Sequence, residues 1–221
     1  MNGINFGKKH SYDDWGLVLT NKSLGLPTPK TSSVSIDGAD GVIDTSEVLC
    51  GEIKFSNRTL EFEFTMTTDY EDFNELVTEI SNYLHGKKLK IVLDEDSNYY
   101  YYGRCQINQW TSDRRIGKIV IKCDCEPFKY TKEKCISTAH IEGVTYVKVY
   151  GKRMTVNPTI EVDSDNVDVV VKYPKLLQSR TITLHKNKTN LIPDLFLYEG
   201  VNTLIFIGSG NVKIIYQGGE L

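Results

Sequence analysis

Apolar and polar positions alternate along most of this chain, and one segment breaks the alternation. Leu60, Phe62, Phe64 and Met66 fall on one side of an extended run, with Glu61, Glu63, Thr65 and Thr67 on the other. That period of two predicts a half-buried antiparallel strand. Leu89, Ile91 and Leu93 repeat the pattern and lead into the acidic turn Asp94-Glu95-Asp96-Ser97-Asn98. A tyrosine-rich return strand begins at Tyr99, and Ile119, Ile121, Cys123 and Cys125 alternate with Lys118, Val120, Lys122 and Asp124. Between Asp69 and His85 the period changes to that of a helix: Phe73, Leu76, Val77, Ile80 and Leu84 share one face. Thr68 with Glu71, or Asp69 with Asp72, supplies an N-cap and an acidic first turn; Gly86 is the C-cap, and Lys87-Lys88 suit the negative end of the dipole. Burying those five side chains contributes on the order of 10 kcal/mol gross, so the helix needs a sheet to lie on.

After Pro127 the character shifts. Lys129-Tyr130-Thr131-Lys132-Glu133-Lys134 reads as a polar connection, and strands follow near 144–150, 158–162, 166–173, 180–185, 201–207 and 211–216 with no helix among them. Pro174 and the glycine pairs 208/210 and 218/219 are expected in turns or at the end. The spacing suits a β-sandwich. The expected class is mainly β with one helix, in two domains: 1–128 and 129–221.

Composition narrows the function classes. The 221 residues are 40% hydrophobic and 25% charged, with a net charge of −3 and basic and acidic residues interspersed. Phosphate readers carry a clustered basic excess, so nucleic-acid and anionic-membrane binding are disfavoured. The longest apolar run is four or five residues, where about 18 are needed to cross a bilayer as a helix. No secretory signal is expected at the start, Met1-Asn2-Gly3-Ile4, which makes the Asn-x-Ser/Thr sites at Asn21, Asn57 and Asn187 of little consequence. Five cysteines, an odd number, argue against a disulfide framework and for synthesis in a reducing cytosol.

Candidate chemistry is sparse. Cys123 and Cys125 with Cys135 and His140 offer three sulfurs and an imidazole for zinc. The first pair, however, lies two apart in an alternating strand on the side of Ile119 and Ile121, so core packing is the simpler account. Asp94-Glu95-Asp96 lacks the spaced ligands of a calcium loop and reads as a solvated hairpin tip. Gly208-Ser209-Gly210 has neither the third glycine nor the helix of a dinucleotide loop. His10, His85, His140 and His185 are scattered and no nucleophile elbow is present, so the sequence offers no catalytic set and no cofactor site.

The run Tyr99-Tyr100-Tyr101-Tyr102 says more. If Cys105 and Ile107 point inward, alternation sends Tyr99 and Tyr101 inward and Tyr100, Tyr102, Arg104 and Trp110 to the opposite face. Those types are enriched at protein interfaces, so this face is a candidate contact with another subunit. The alternative is that the helix covers it.

The order of these features resembles the distal tail proteins of long-tailed, non-contractile bacteriophages. The resemblance rests on Ile36-Asp37-Gly38-Ala39-Asp40-Gly41-Val42-Ile43-Asp44 followed by Ser46-Glu47, on the helix end Tyr83-Leu84-His85-Gly86-Lys87, and on Tyr101-Tyr102-Gly103-Arg104. Cys125-Glu126-Pro127-Phe128-Lys129-Tyr130, Asn157-Pro158, Gly200-Val201-Asn202-Thr203-Leu204 and Val212-Lys213-Ile214-Ile215-Tyr216 continue it over the whole chain. It implies a ring-forming N-terminal β-barrel-like domain with a helix and a projecting hairpin, and a C-terminal galectin-like β-sandwich. It also implies a structural, non-enzymatic protein of the virion tail tip, made in the host cytoplasm. Such proteins form a homo-hexameric ring that joins the tail tube protein to the tail-associated fibre or lysin protein and to receptor-binding proteins. DNA crosses the ring without specific binding, and a mildly acidic subunit suits that passage. A lectin-like adhesion module is the second reading; both tryptophans, Trp15 and Trp110, lie in the first half, leaving Tyr146 or Tyr150 to stack on a sugar.

Overall fold

The structure is a computed structural model and describes residues 3–67, 70–113, 116–173 and 178–221. The chain is mainly β, with one α-helix among the described residues. It divides into two compact units, Met1–Lys129 with Leu221, and Tyr130–Glu220.

In the first unit the strands are β1 (Ile4–Phe6), β2 (Lys9–His10), β3 (Val18–Leu24), β4 (Pro29–Lys30), β5 (Ser33–Val34), β6 (Ile43–Asp44), β7 (Lys54–Phe55) and β8 (Arg58–Thr67). Helix α1 (Tyr70–Leu84) follows, then β9 (Lys88–Leu93), β10 (Tyr99–Asp113) and β11 (Ile116–Cys125). The main sheet runs β2-β1-β9-β10-β11-β8-β3, with each neighbouring pair antiparallel. Strands β1 and β8 stand four positions apart in that order, about 19 Å in a flat sheet. Phe6 on β1 nevertheless meets Phe62 and Phe64 on β8 at ring-centroid distances of 6.0 and 6.3 Å. The sheet therefore curls until its far strands share one core, which is the barrel-like form that the resemblance implies.

Helix α1 lies against that core. Phe73, Val77, Ile80 and Leu84 are buried among Phe62, Phe64, Ile119 and Ile121. Gly117 of β11 makes the approach possible: a Cβ there would stand 2.3 Å from the Phe73 ring. At its far end the Tyr83 hydroxyl donates to the Phe6 carbonyl at 2.9 Å, and Lys87 Nζ donates to the Asn82 carbonyl at 2.9 Å. The expected N-cap at Thr68 or Asp69 lies outside the described residues.

The short strand β12 (Lys129–Thr131) falls where the polar connection is expected. The second unit holds β13 (Cys135–Gly151), β14 (Thr159–Val162), β15 (Val167–Tyr173), β16 (Gln178–Leu184), β17 (Asn190–Leu191), β18 (Gly200–Tyr216) and β19 (Gly219–Glu220). The two strands expected at 201–207 and 211–216 are one, and Gly208 and Gly210 sit inside it rather than in a turn. Strand β18 pairs with β13 along their full 17 residues. On its other edge it pairs first with β15 and then with β14. At the junction Gly208 has φ +127°, and a Cβ there would lie 1.9 Å from the Asn166 carbonyl oxygen. Gly208 thus lets the segment joining β14 to β15 press against β18 between its two partner strands. Phe206, Val212, Ile214, Val147, Val169 and Leu184 are buried in one core. Pro174 lies outside the described residues.

Candidate assembly surface

The outward face of the first unit's sheet is built by β9, β10, β11 and β8. Register places Lys90 opposite Tyr102, Lys88 opposite Arg104, Arg104 opposite Asp124 and Lys122 opposite Glu61. Each tyrosine of the run carries a cation over its ring. On the outward side Lys90 Nζ stands 4.4 Å from the Tyr100 centroid and Lys88 Nζ 4.5 Å from that of Tyr102. Tyr101 points inward and is buried, with the Arg58 guanidinium 5.0 Å from its ring; Lys129 Nζ is 4.5 Å from the Tyr99 ring. Such pairs hold flexible lysine stems flat against aromatic faces and preform the surface.

Hydrogen bonds fix the same face. Lys88 Nζ donates to Glu126 Oε1 at 2.6 Å, which raises the lysine above its ordinary value. Arg104 donates to the Gly86 carbonyl at the helix end. Partial burial, then the Glu126 charge, pushes the Tyr100 phenol up, so it stays a neutral hydroxyl at neutral pH. Helix α1 packs on the other side of the sheet, so it does not cover Tyr100, Tyr102 and Arg104.

Trp110 does not belong to this face. Ile107 pairs with Ile121 but Gln109 pairs with Val120, so β10 carries one extra residue, Asn108. A bulge of one residue reverses the alternation beyond it. Trp110 therefore stands opposite Ile119 on the core side, 44% exposed, with its ring 6.0 Å from that of Phe73.

A second surface escaped the period-two reading. Residues 26–56 form an arm of two nested two-stranded ladders, β4 with β7 and β5 with β6. Leu26, Val34, Ile36, Val42, Ile43, Val48 and Leu49 are all exposed on it, Leu49 at 90%. Scattered apolar residues are ordinary on a surface; this many on one arm make it a candidate contact surface. The only local signal was apolar residues interleaved with Gly, Asp and Ser.

The metal candidates are not brought together as a set. Cys123 faces Cys105 across the ladder with Sγ–Sγ 3.1 Å, both in the first core, and Cys125 is buried beside them. Burial pushes Cys125 up to about 12, and Cys123 upward as well through its hydrogen bond with Cys105 and burial. Cys135 and His140 belong to the other unit, on opposite sides of β13, where His140 Nδ1 meets Asn211 Oδ1 at 2.9 Å. The carboxylates of the acidic turn also diverge. Asp94 accepts from the Gly3 amide at 2.8 Å, Glu95 pairs with Lys22, and Asp96 pairs with Lys129 at 3.0 Å.

No protein-family model matches the chain, and no curated protein matches it. A solved structure does: the crystal structure of the Dit protein (gp 19.1) of phage SPP1, described as a paradigm of the hub adsorption apparatus in phages infecting Gram-positive bacteria. The match covers 100% of both chains with a TM-score of 0.71 at 14% sequence identity. This chain has the distal tail protein fold. The likeness spans both units. At 14% identity the shared property is backbone arrangement.

Proposed function

We propose that the chain is a structural protein of a phage tail tip, forming a hexameric hub ring between the tail tube and the tail-associated fibre or lysin protein, with receptor-binding proteins attached at its periphery. The full-length likeness to the SPP1 Dit protein carries this reading. In it the 1–128 portion forms the ring and the 129–221 portion, a galectin-like sandwich, faces the adsorption apparatus. The subunit acts through its surfaces and has no catalytic role.

A closed ring needs two different, complementary patches on each subunit. The outward sheet offers such a pair: a basic and aromatic strip of Lys88, Lys90, Tyr100, Tyr102 and Arg104 at one end, and Glu61 and Glu63 on β8 at the other. The arm at 26–56 adds apolar contact area. A net charge of −3 per subunit leaves DNA free to pass without being held.

Antibody labelling of virions that package this chain tests its place. Label at the tail tip supports the reading; label on the capsid, or none on intact virions, contradicts it.

A further inference from the structure

The second unit carries an open groove, rimmed by polar side chains, that a tail-hub role leaves unused. It has a volume of 620 Å³, within the range of small-molecule sites, about 300–1,000 Å³. Two rungs of side chains cross the outward face of β13, β18 and β14. Thr138, Lys213 and Glu161 form one, with Lys213 Nζ 3.4 Å from Glu161. His140, Asn211 and Asp163 form the other. The turn after β16 adds Lys186 and Asn187 to the lining.

Hydrogen bonding fixes how the second rung presents itself. Asp163 accepts from the Asn211 backbone amide at 2.7 Å and from Asn211 Nδ2 at 2.6 Å. These bonds hold the Asp163 carboxyl below its ordinary value, so it is an acceptor at neutral pH. Because a carboxylate only accepts, the amide end of Asn211 must face Asp163 and its Oδ1 must face His140. His140 Nδ1, 2.9 Å from that oxygen, is then the donor, and in the neutral ring Nε2 is an acceptor. The second rung thus presents an oriented acceptor beside the Thr138 hydroxyl of the first.

The charges of the lining balance, two carboxylates (Glu161, Asp163) against two ammonium groups (Lys186, Lys213). Such a site exerts no net pull on an ion. It does set donors and acceptors side by side, an arrangement suited to a ligand whose polar atoms both donate and accept, as hydroxyl groups do. We propose that this groove binds a neutral saccharide, with its hydroxyls bridging His140 Nε2, Glu161 and Lys213. No Trp, Tyr or Phe lines the groove, so hydrogen bonds provide most of the affinity and the dissociation constant is on the order of millimolar.

The test is an amide NMR titration of the full chain with glucose, galactose, rhamnose and N-acetylglucosamine, with inorganic phosphate as the ionic comparison. At least one sugar should shift the amides of residues 138–140, 186–187 and 211–213, and phosphate should not. His140→Ala and Glu161→Gln should each weaken that binding roughly tenfold. Glu161→Gln keeps shape and exposure, so it reports even if the His140 variant loses structure. Silence of all four sugars at roughly 50 mM, binding unchanged in Glu161→Gln, or phosphate binding as tight as sugar binding would each overturn the proposal. Ring formation by the same variants is measured separately, so failure here and failure of the tail-hub reading are distinguishable.

Discussion

The indole of Trp110 packs 6.0 Å from the ring of Phe73, tying the far end of β10 to the first turns of α1 on the core side of the sheet. The extra residue at Asn108 makes this contact possible by reversing the strand's alternation. Trp110→Ala should therefore lower stability by about 1–3 kcal/mol in a urea titration, through lost apolar burial and ring contact. The oligomeric mass should be unchanged. Lost assembly at unchanged stability would return Trp110 to the interface.

Charge on the outward sheet should control assembly. Lys88→Glu with Lys90→Glu should weaken subunit association roughly tenfold or more, as should Glu61→Lys with Glu63→Lys. Mixing the two double variants should restore association across the interface where each meets its complement. Analytical ultracentrifugation at low and high salt reads all three; indifference of the first pair to salt and to reversal would remove β9 from the interface.

Gly208 should tolerate no side chain. Gly208→Ala drives a Cβ against the Asn166 carbonyl in a backbone conformation with φ +127°. Loss of about 3 kcal/mol or more is expected, read by thermal denaturation. The first unit has its own core, so its near-ultraviolet tryptophan signal should survive; loss of both signals together would mean the units do not fold separately.

The thiols should divide by burial. Cys50 is exposed and should react with a thiol reagent in the native protein, while Cys105, Cys123 and Cys125 should not. Cys125 is raised from 9.0 to about 12 and Cys123 is raised as well. Native thiols that hold their protons above the unfolded value favour the folded state below that value. Stability should then fall as pH rises from about 9 toward 12, by up to about 1.4 kcal/mol per pH unit per thiol. A flat profile over that window would contradict the burial of this cluster.

Local periodicity made much of the fold legible. Leu60, Phe62 and Phe64 are fully buried where alternation puts them, and Phe73, Val77, Ile80 and Leu84 form the buried face of α1. Parity fails where an event elsewhere in the chain intervenes. Nothing in Asn108 itself marks a bulge, so alternation alone puts Trp110 on the outward face while the β10–β11 register puts it on the core side. Gly208 and Gly210 look like turn residues because the reason for them, the passage of Asn166 against Gly208 and of Asp163 and Ser164 against Gly210, is set more than 40 positions earlier in the chain. Tyr100, Tyr102 and Arg104 were readable as one face, but their lysine caps required the β9–β10 register. The polar groove required three strands and a turn to be placed together.

Subunit stoichiometry tests the central claim most directly. Native mass spectrometry of the purified chain, paired with negative-stain images, should show a species of about 150 kDa, six copies of 25.1 kDa, and rings of six-fold symmetry. A single species at 25.1 kDa up to the highest soluble concentration, with no rings in the images, would contradict the account.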